Sequence, residues 1–416
     1  MMEWEEVKLG DFVQTISKTY NFANKEKVIF LNTGDIKDGK FLVNDYSSIK
    51  ELPGQAKKSI RKNDILYSEI RPANKRFAFV DFDASEYVVS TKLLVLRVDS
   101  KIAIPQYIYQ YLTSRTIVNR LQYLAESRSG TFPQITFSEV SELPIALPPL
   151  KKQKEIYSII KSLDDKISLL RQQNETLEQL AQTLFKRWFV DFEFPDAQGQ
   201  PYKSAGGKMI ESELGEIPEG WEVSTLKSIT NLLTRGIAPK YLEEGGISVV
   251  NQRCIRDKSI NFALCRRHNN EIRSAKSKLI QVGDVLVNST GVGTLGRTAI
   301  VKRLEEKLTT VDTHVTILRP KIDKVHTLFF GYLITTKERE IEYLGEGSTG
   351  QTELSRIKLG EKEVILPLME IQNKFSTALK SSLEKVAANE QQIQTLTRLR
   401  DTLLPKLMSG ELRLGE

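Results

Sequence analysis

From Ile156 to Trp188 the chain repeats in steps of four and three: Ile156, Ile160, Leu163, Ile167, Leu170, Asn174, Leu177, Ala181, Leu184, Trp188. This is a heptad seam, apolar except at Asn174, with no Pro or Gly inside it. A helix of that length spans ~50 Å at ~1.5 Å per residue. An apolar stripe that long needs a partner helix. The chain supplies one 219 residues downstream: Phe375, Leu379, Ser382, Val386, Asn389, Ile393, Leu396, Arg400, Leu403, Leu407. The flanks repeat as well. Leu147-Pro148-Pro149-Leu150 precedes the first helix and Leu366-Pro367-Leu368 the second; Thr183-Leu184-Phe185 and Thr402-Leu403-Leu404-Pro405 close them. An internal duplication therefore organises the whole chain.

The globular segments repeat with the helices. Trp4 returns as Trp221, Asn63-Asp64-Ile65-Leu66 as Gly283-Asp284-Val285-Leu286, Ser90 to Arg97 as Asp312 to Arg319, and Ser129-Gly130 as Thr349-Gly350. Strand-like runs cover Val28–Leu31, Asp64–Tyr67, Phe77–Phe82, Val88–Val98 and Leu143–Leu147, with a helix over Pro105–Leu124. The loops between these landmarks are unrelated. A duplicated scaffold with unlike loops suggests two different targets. Breakers crowd the stretch between the copies (Pro195, Gly199, Pro201, Gly206-Gly207, Gly215, Pro218), which excludes a packed core of its own. The expected segments are recognition segments at 1–150 and 220–365, helices at 151–190 and 366–408, a linker at 191–219 and a tail at 409–416.

Composition narrows the function. At 416 residues and net charge +7 the chain can hold two or three domains and permits, without demanding, a nucleic-acid partner. Two cysteines make no disulfide framework, and a reducing cytoplasm fits them. The acidic N-terminus reads as no signal peptide, and no apolar run approaches a membrane span. Gly291-Val292-Gly293-Thr294-Leu295-Gly296 matches G-x-G-x-x-G, but the strand-like Thr298-Ala299-Ile300 follows where a dinucleotide site needs a helix, so a hairpin tip is expected. Cys254, Cys265 and His268 lack zinc spacing, and unremarkable thiols are expected. His314, in a strand-like run, is expected to be a core or edge histidine. No Asp/Asn-Pro-Pro-aromatic methyltransferase loop occurs. The only Pro-Asp, Pro195-Asp196, lacks the acid-x-Lys of a metal-dependent nuclease. The weight falls on binding rather than chemistry.

Arg reads guanine edges, and Gln or Asn reads adenine. The loop candidates of the first copy are Lys57, Lys58, Arg61, Arg71, Lys75, Arg76, Arg128, Ser129, Thr131 and Gln134. Those of the second are Arg235, Lys240, Asn251, Gln252, Arg253, Arg256, Arg266, Arg267, Arg273, Arg297, Ser348, Thr349 and Gln351.

The chain resembles the specificity subunits of Type I restriction–modification systems. The likeness is carried by Leu184-Phe185-Lys186-Arg187-Trp188-Phe189-Val190-Asp191-Phe192, Pro201-Tyr202-Lys203-Ser204, Ser212-Glu213-Leu214-Gly215-Glu216-Ile217-Pro218-Glu219-Gly220-Trp221 and Leu403-Leu404-Pro405-Lys406-Leu407-Met408-Ser409-Gly410. The resemblance implies an α+β fold in which two target recognition domains are joined and spaced by two antiparallel conserved helices about a pseudo-two-fold. It implies a non-catalytic DNA reader with double-stranded DNA and two modification subunits as partners, and restriction subunits in complexes that cleave; the rivals are a fused modification enzyme, which the missing motifs argue against, and a coiled-coil adaptor without DNA readout. It also implies no cofactor on this chain: S-adenosylmethionine, ATP and Mg would belong to partner subunits. If the seams pack antiparallel about their midpoints, Asn174 faces Asn389, and a paired amide would lock the register. A one-heptad slip moves ~10 Å, or about three base pairs. Ser382 and Arg400, poor seam residues, are expected to face the modification subunits.

Overall fold

A computed structural model describes residues 4–128, 131–347 and 352–412. Two helices dominate it, Leu150–Phe189 and Met369–Ser409. Every seam position is buried or half-buried, Asn389 buried and Asn174 half-buried. The first helix starts where Pro149 offers its carbonyl to Lys152 N and Gln153 N. It stops before Phe192, which takes a left-handed φ of +60°. A glycine is the usual solution there. Phe192 holds the conformation because its ring is buried edge-on against Trp221, at 5.6 Å. The second helix runs through Pro405, which forfeits one backbone hydrogen bond.

The chain forms two compact units, Met1–Gln172 with Ala388–Glu416, and Gln173–Ala387. Each takes half of each long helix. In the first unit, Ile156 and Ile160 share a core with Leu404, Leu407 and Met408. In the second, Phe375 packs against Phe185, Trp188 and Phe189 at ring separations of 5.9, 5.9 and 5.1 Å. The start of one helix thus lies beside the end of the other in each unit, so the halves run antiparallel. The expectation for Arg400 is overturned. Its Nη1 bonds Asp164 Oδ1 at 2.8 Å, so it faces the partner helix. Burial lowers its pKa, but hydrogen bonds to Asp164 and Asp401 outweigh that and raise it. Ser382 is half-buried.

The first unit carries two four-stranded sheets. One runs Val13–Thr15, Leu93–Val98, Ile65–Ser68, Phe77–Phe79, antiparallel throughout. The other runs Ser47–Ser48, Lys27–Leu31, Tyr87–Ser90, Ala56–Ser59, its central pair parallel. The Val88–Val98 run is thus two strands in two sheets, broken at Thr91-Lys92. The Pro105–Leu124 helix is likewise two, Pro105–Thr113 and Arg115–Arg128. Ser114 breaks it with extended backbone, and its hydroxyl accepts from Ile117 N.

The second unit repeats this scheme. Thr230–Arg235, Val315–Pro320, Val285–Asn288 and Thr298–Ile300 form the antiparallel sheet. Tyr241–Leu242, Arg266–His268, Ile247–Val250 and Thr309–Val311 form the other, with its Ile247–Val250/Thr309–Val311 pair parallel. The breaker-rich stretch is folded. Phe194 stacks on Tyr202 and Trp221 at 4.5 and 5.1 Å and joins the core of this unit. Its aromatics borrow that core, because the segment is too short and too broken to make one.

Candidate nucleic-acid interface

In each unit three loops meet at one end of the antiparallel sheet. The first unit's hairpin tip, residues 69–76, joins Ile65–Ser68 to Phe77–Phe79. Arg71 N donates to Pro133 O at 3.1 Å, and Ile135 N to Glu69 O at 2.9 Å, which ties on the loop before Gln134. Arg76 Nη1 reaches Thr33 Oγ1 at 3.3 Å, on the turn capped by Asn32. Gln122 Oε1 accepts from Ala73 N at 2.9 Å and braces the tip from the helix below.

The second unit builds the same junction from other residues. Its tip, residues 289–297, joins Val285–Asn288 to Thr298–Ile300. Leu354 N donates to Ser289 O at 2.8 Å, and Asn288 Nδ2 to Gln252 O at 3.1 Å, on the turn capped by Asn251. Gly291, Gly293 and Gly296 all have positive φ, and a Cβ on Gly296 would sit 2.9 Å from the backbone of Glu342. The glycines thus serve a tight tip packed on a helix, as the following strand required.

The candidate residues divide by what already holds them. On the first unit's tip, Arg71 and Lys75 adopt left-handed backbone and stay exposed. Lys57 is exposed on the strand Ala56–Ser59. Lys58 is a clamp: its Nζ donates to Thr91 O and Leu93 O at 3.0 and 2.8 Å, and burial lowers its pKa. Arg128 pairs with Glu139. In the second unit Arg253 and Arg256 are exposed, the latter 3.7 Å from Asp257. Arg297 Nη2 bonds Gly293 O at 2.8 Å and stiffens the tip. Arg235 is held by Glu353 and Leu354 O. Lys240 is exposed, its backbone N donating to His268 Nδ1 at 2.9 Å. Arg266 lies over the Tyr241 ring. Ser129, Ser348, Thr349 and Gln351 lie outside the described residues.

The His314 expectation is corrected. It sits exposed in the turn between Thr309–Val311 and Val315–Pro320, its Nδ1 2.7 Å from Thr290 Oγ1 on the tip. Cys254 Sγ and Cys265 Sγ are 3.9 Å apart. Among the described residues no His, Cys, Asp or Glu group could hold a metal, and no helix is long and apolar enough to cross a membrane.

Sequence reading missed the residues that seat these loops. Asp64 takes a bidentate pair from Arg97, both contacts 2.8 Å, and Asp284 takes the same pair from Arg319. Gln153 accepts from Ile104 N and donates to Pro148 O, while Gln372 accepts from His326 N and donates to Pro367 O, each at 2.8 Å. The signal was present in the repeat: a polar residue kept in both copies beside the duplicated proline.

The sequence profile described as Type I restriction modification DNA specificity domain matches residues 1–179 and again 218–398. The Type I restriction enzyme HindI specificity subunit of Haemophilus influenzae is 32% identical over 472 residues, 99% of this chain and 100% of that protein. The Type I restriction enzyme MjaIX specificity subunit of Methanocaldococcus jannaschii is 30% identical over 325 residues, 75% of this chain and 70% of that one. A crystal structure of the Type-I restriction-modification system S subunit from M. genitalium shares the fold at 16% identity, with TM-score 0.53 over 99% of this chain and 97% of that one. With the profile matching both copies of the duplication and a relative aligned from end to end, this chain belongs to the family of Type I restriction–modification specificity subunits.

Proposed function

We propose that the chain reads a bipartite double-stranded DNA target, one half-site per unit, and directs partner subunits that carry the chemistry. The observation that carries this reading is the twice-built junction of three loops, one scaffold bearing unlike side chains. Arg71, Lys75 and Arg76 lie at one junction; Arg253, Arg297 and Thr290 lie at the other. Such cations supply the phosphate attraction, and the unlike loops supply different base contacts. Two modification subunits bring S-adenosylmethionine to the complex, and restriction subunits bring ATP- and Mg-dependent cleavage where the system cuts. The chain itself holds no cofactor, performs no catalysis and works in the cytoplasm.

Residues 1–150 and 220–365 are the exchangeable recognition segments in this reading, with 191–219 and the helices as the retained frame. The test is an exchange of residues 1–150 for those of another family member. The chimaera is assembled with modification subunits, then assayed by gel shift at fixed salt and by sequencing of methylated genomic DNA. One half-site should change and the other persist. A chimaera that changes both half-sites, or an assembled wild-type complex that methylates no defined motif, defeats the reading.

A further inference from the structure

Several arginines of the second unit are already occupied. Arg267 is bound to Gly245 O and Gly246 O at 2.6 and 2.7 Å and to Glu306. Arg319 is locked on Asp284, and Arg235 on Glu353. Arg266 differs. It is exposed, and no carboxylate closes an ion pair with it among the described residues. Yet its guanidinium carbon lies 3.3 Å from the centroid of the Tyr241 ring. The cation lies against the face of the ring, while the residue as a whole stays exposed. Both residues stand in one sheet, Tyr241 on the edge strand opposite His268 and Arg266 on the next strand opposite Val249.

This site is continuous with the hairpin tip. Asp312 N donates to Val250 O at 3.0 Å, on the strand beside Arg266. The Asp312 carboxylate accepts from His314 N at 2.9 Å, and His314 reaches Thr290 on the tip at 2.7 Å. The first unit has no counterpart: the strand in the place of Arg266–His268 is Ser47–Ser48. A feature present in one copy alone is what a reader of one half-site should be.

We propose that Arg266, held against the ring of Tyr241, recognises a guanine in the half-site of the second unit; this rests on the DNA-reading function proposed above. A guanidinium offers a planar fork of donors and no acceptor. Guanine presents two adjacent acceptors in the major groove, N7 and O6, and adenine pairs an acceptor with a donor. An exposed guanidinium held against a ring therefore fits the two acceptors of guanine and not the mixed pair of adenine. A backbone phosphate would also accept the fork, but it demands charge rather than plane, and the exposed Arg253 and Arg256 supply charge without a stacking ring.

The test uses the full chain assembled with modification subunits in a host whose methylated motifs are sequenced, with gel shifts on duplexes carrying single changes. R266K keeps the charge and loses the fork. It should lose roughly ten- to hundredfold discrimination at one guanine of one half-site and leave the other half-site intact. Y241A should fall in the same direction, and Y241F should match wild type. R266K serves as the variant least disturbing to folding, and normal subunit assembly verifies it. Uniform weakening at every position, with the motif unchanged in R266K, would identify a phosphate contact and overturn the proposal. A wild-type half-site without guanine would also overturn it. A wild-type complex with no motif at all removes the underlying DNA-reading function as well.

Discussion

Glu178 shows how a half-buried charge ties a recognition body to a long helix. Burial pushes its carboxyl up, but Lys302 Nζ at 2.7 Å, with hydrogen bonds from Gln182 and Tyr332, outweighs burial and holds the pKa below the ordinary glutamate value. The native state therefore favours the carboxylate more than the unfolded chain does. That stabilisation is present above the ordinary glutamate range and is lost as pH falls through the lowered value. E178Q should cost about 1–2 kcal/mol at neutral pH, a figure reduced for the partial exposure of Lys302. Urea denaturation of both proteins at neutral and acidic pH checks this; the gap should shrink on acidification, and a constant gap would refute it. None of this was legible in the sequence, since Glu178 and Lys302 are far apart in the chain and neither belongs to a motif.

Among the elements, the two long helices are seated by one device used twice. Gln153 and Gln372 are both fully buried. Each spends its amide on a proline carbonyl of its own helix entry and on a backbone N–H at the start of a shorter helix. Leucine at either position fills similar volume and orphans a donor and an acceptor. Q153L and Q372L should each destabilise by about 2–4 kcal/mol. Chemical denaturation measures it, and a loss under about 1 kcal/mol would show that water or a neighbour takes over. The helices themselves were legible from their period, because a seam that long admits no other element. Their seating was not, because a glutamine in a helix looks the same whether it is solvated or buried.

For the whole molecule, the proposed consequence of duplication is a register. We propose that Asn174 and Asn389 hold it, as the only asparagines of either seam. A double leucine variant would gain apolar burial and lose that constraint. It should methylate targets of more than one spacer length, differing by about three base pairs per heptad. Methylome sequencing reads this directly, and a single unchanged spacer in the variant would assign the register to other contacts.

The sequence alone determined the duplication, both helices, the hairpin character of the glycine-rich tip and the family, because these are periodic or local and survive as spacing. Tertiary structure alone decided which cations are free. Arg266 and Arg267 are neighbours of one residue type, yet one lies on a tyrosine and the other is consumed by two carbonyls and Glu306. Alternation along a strand sends them to different surroundings, and what waits there is set by segments distant in sequence. Arg400 makes the same point: its place in the seam hinted at an outside partner, and only packing brought Asp164 to meet it.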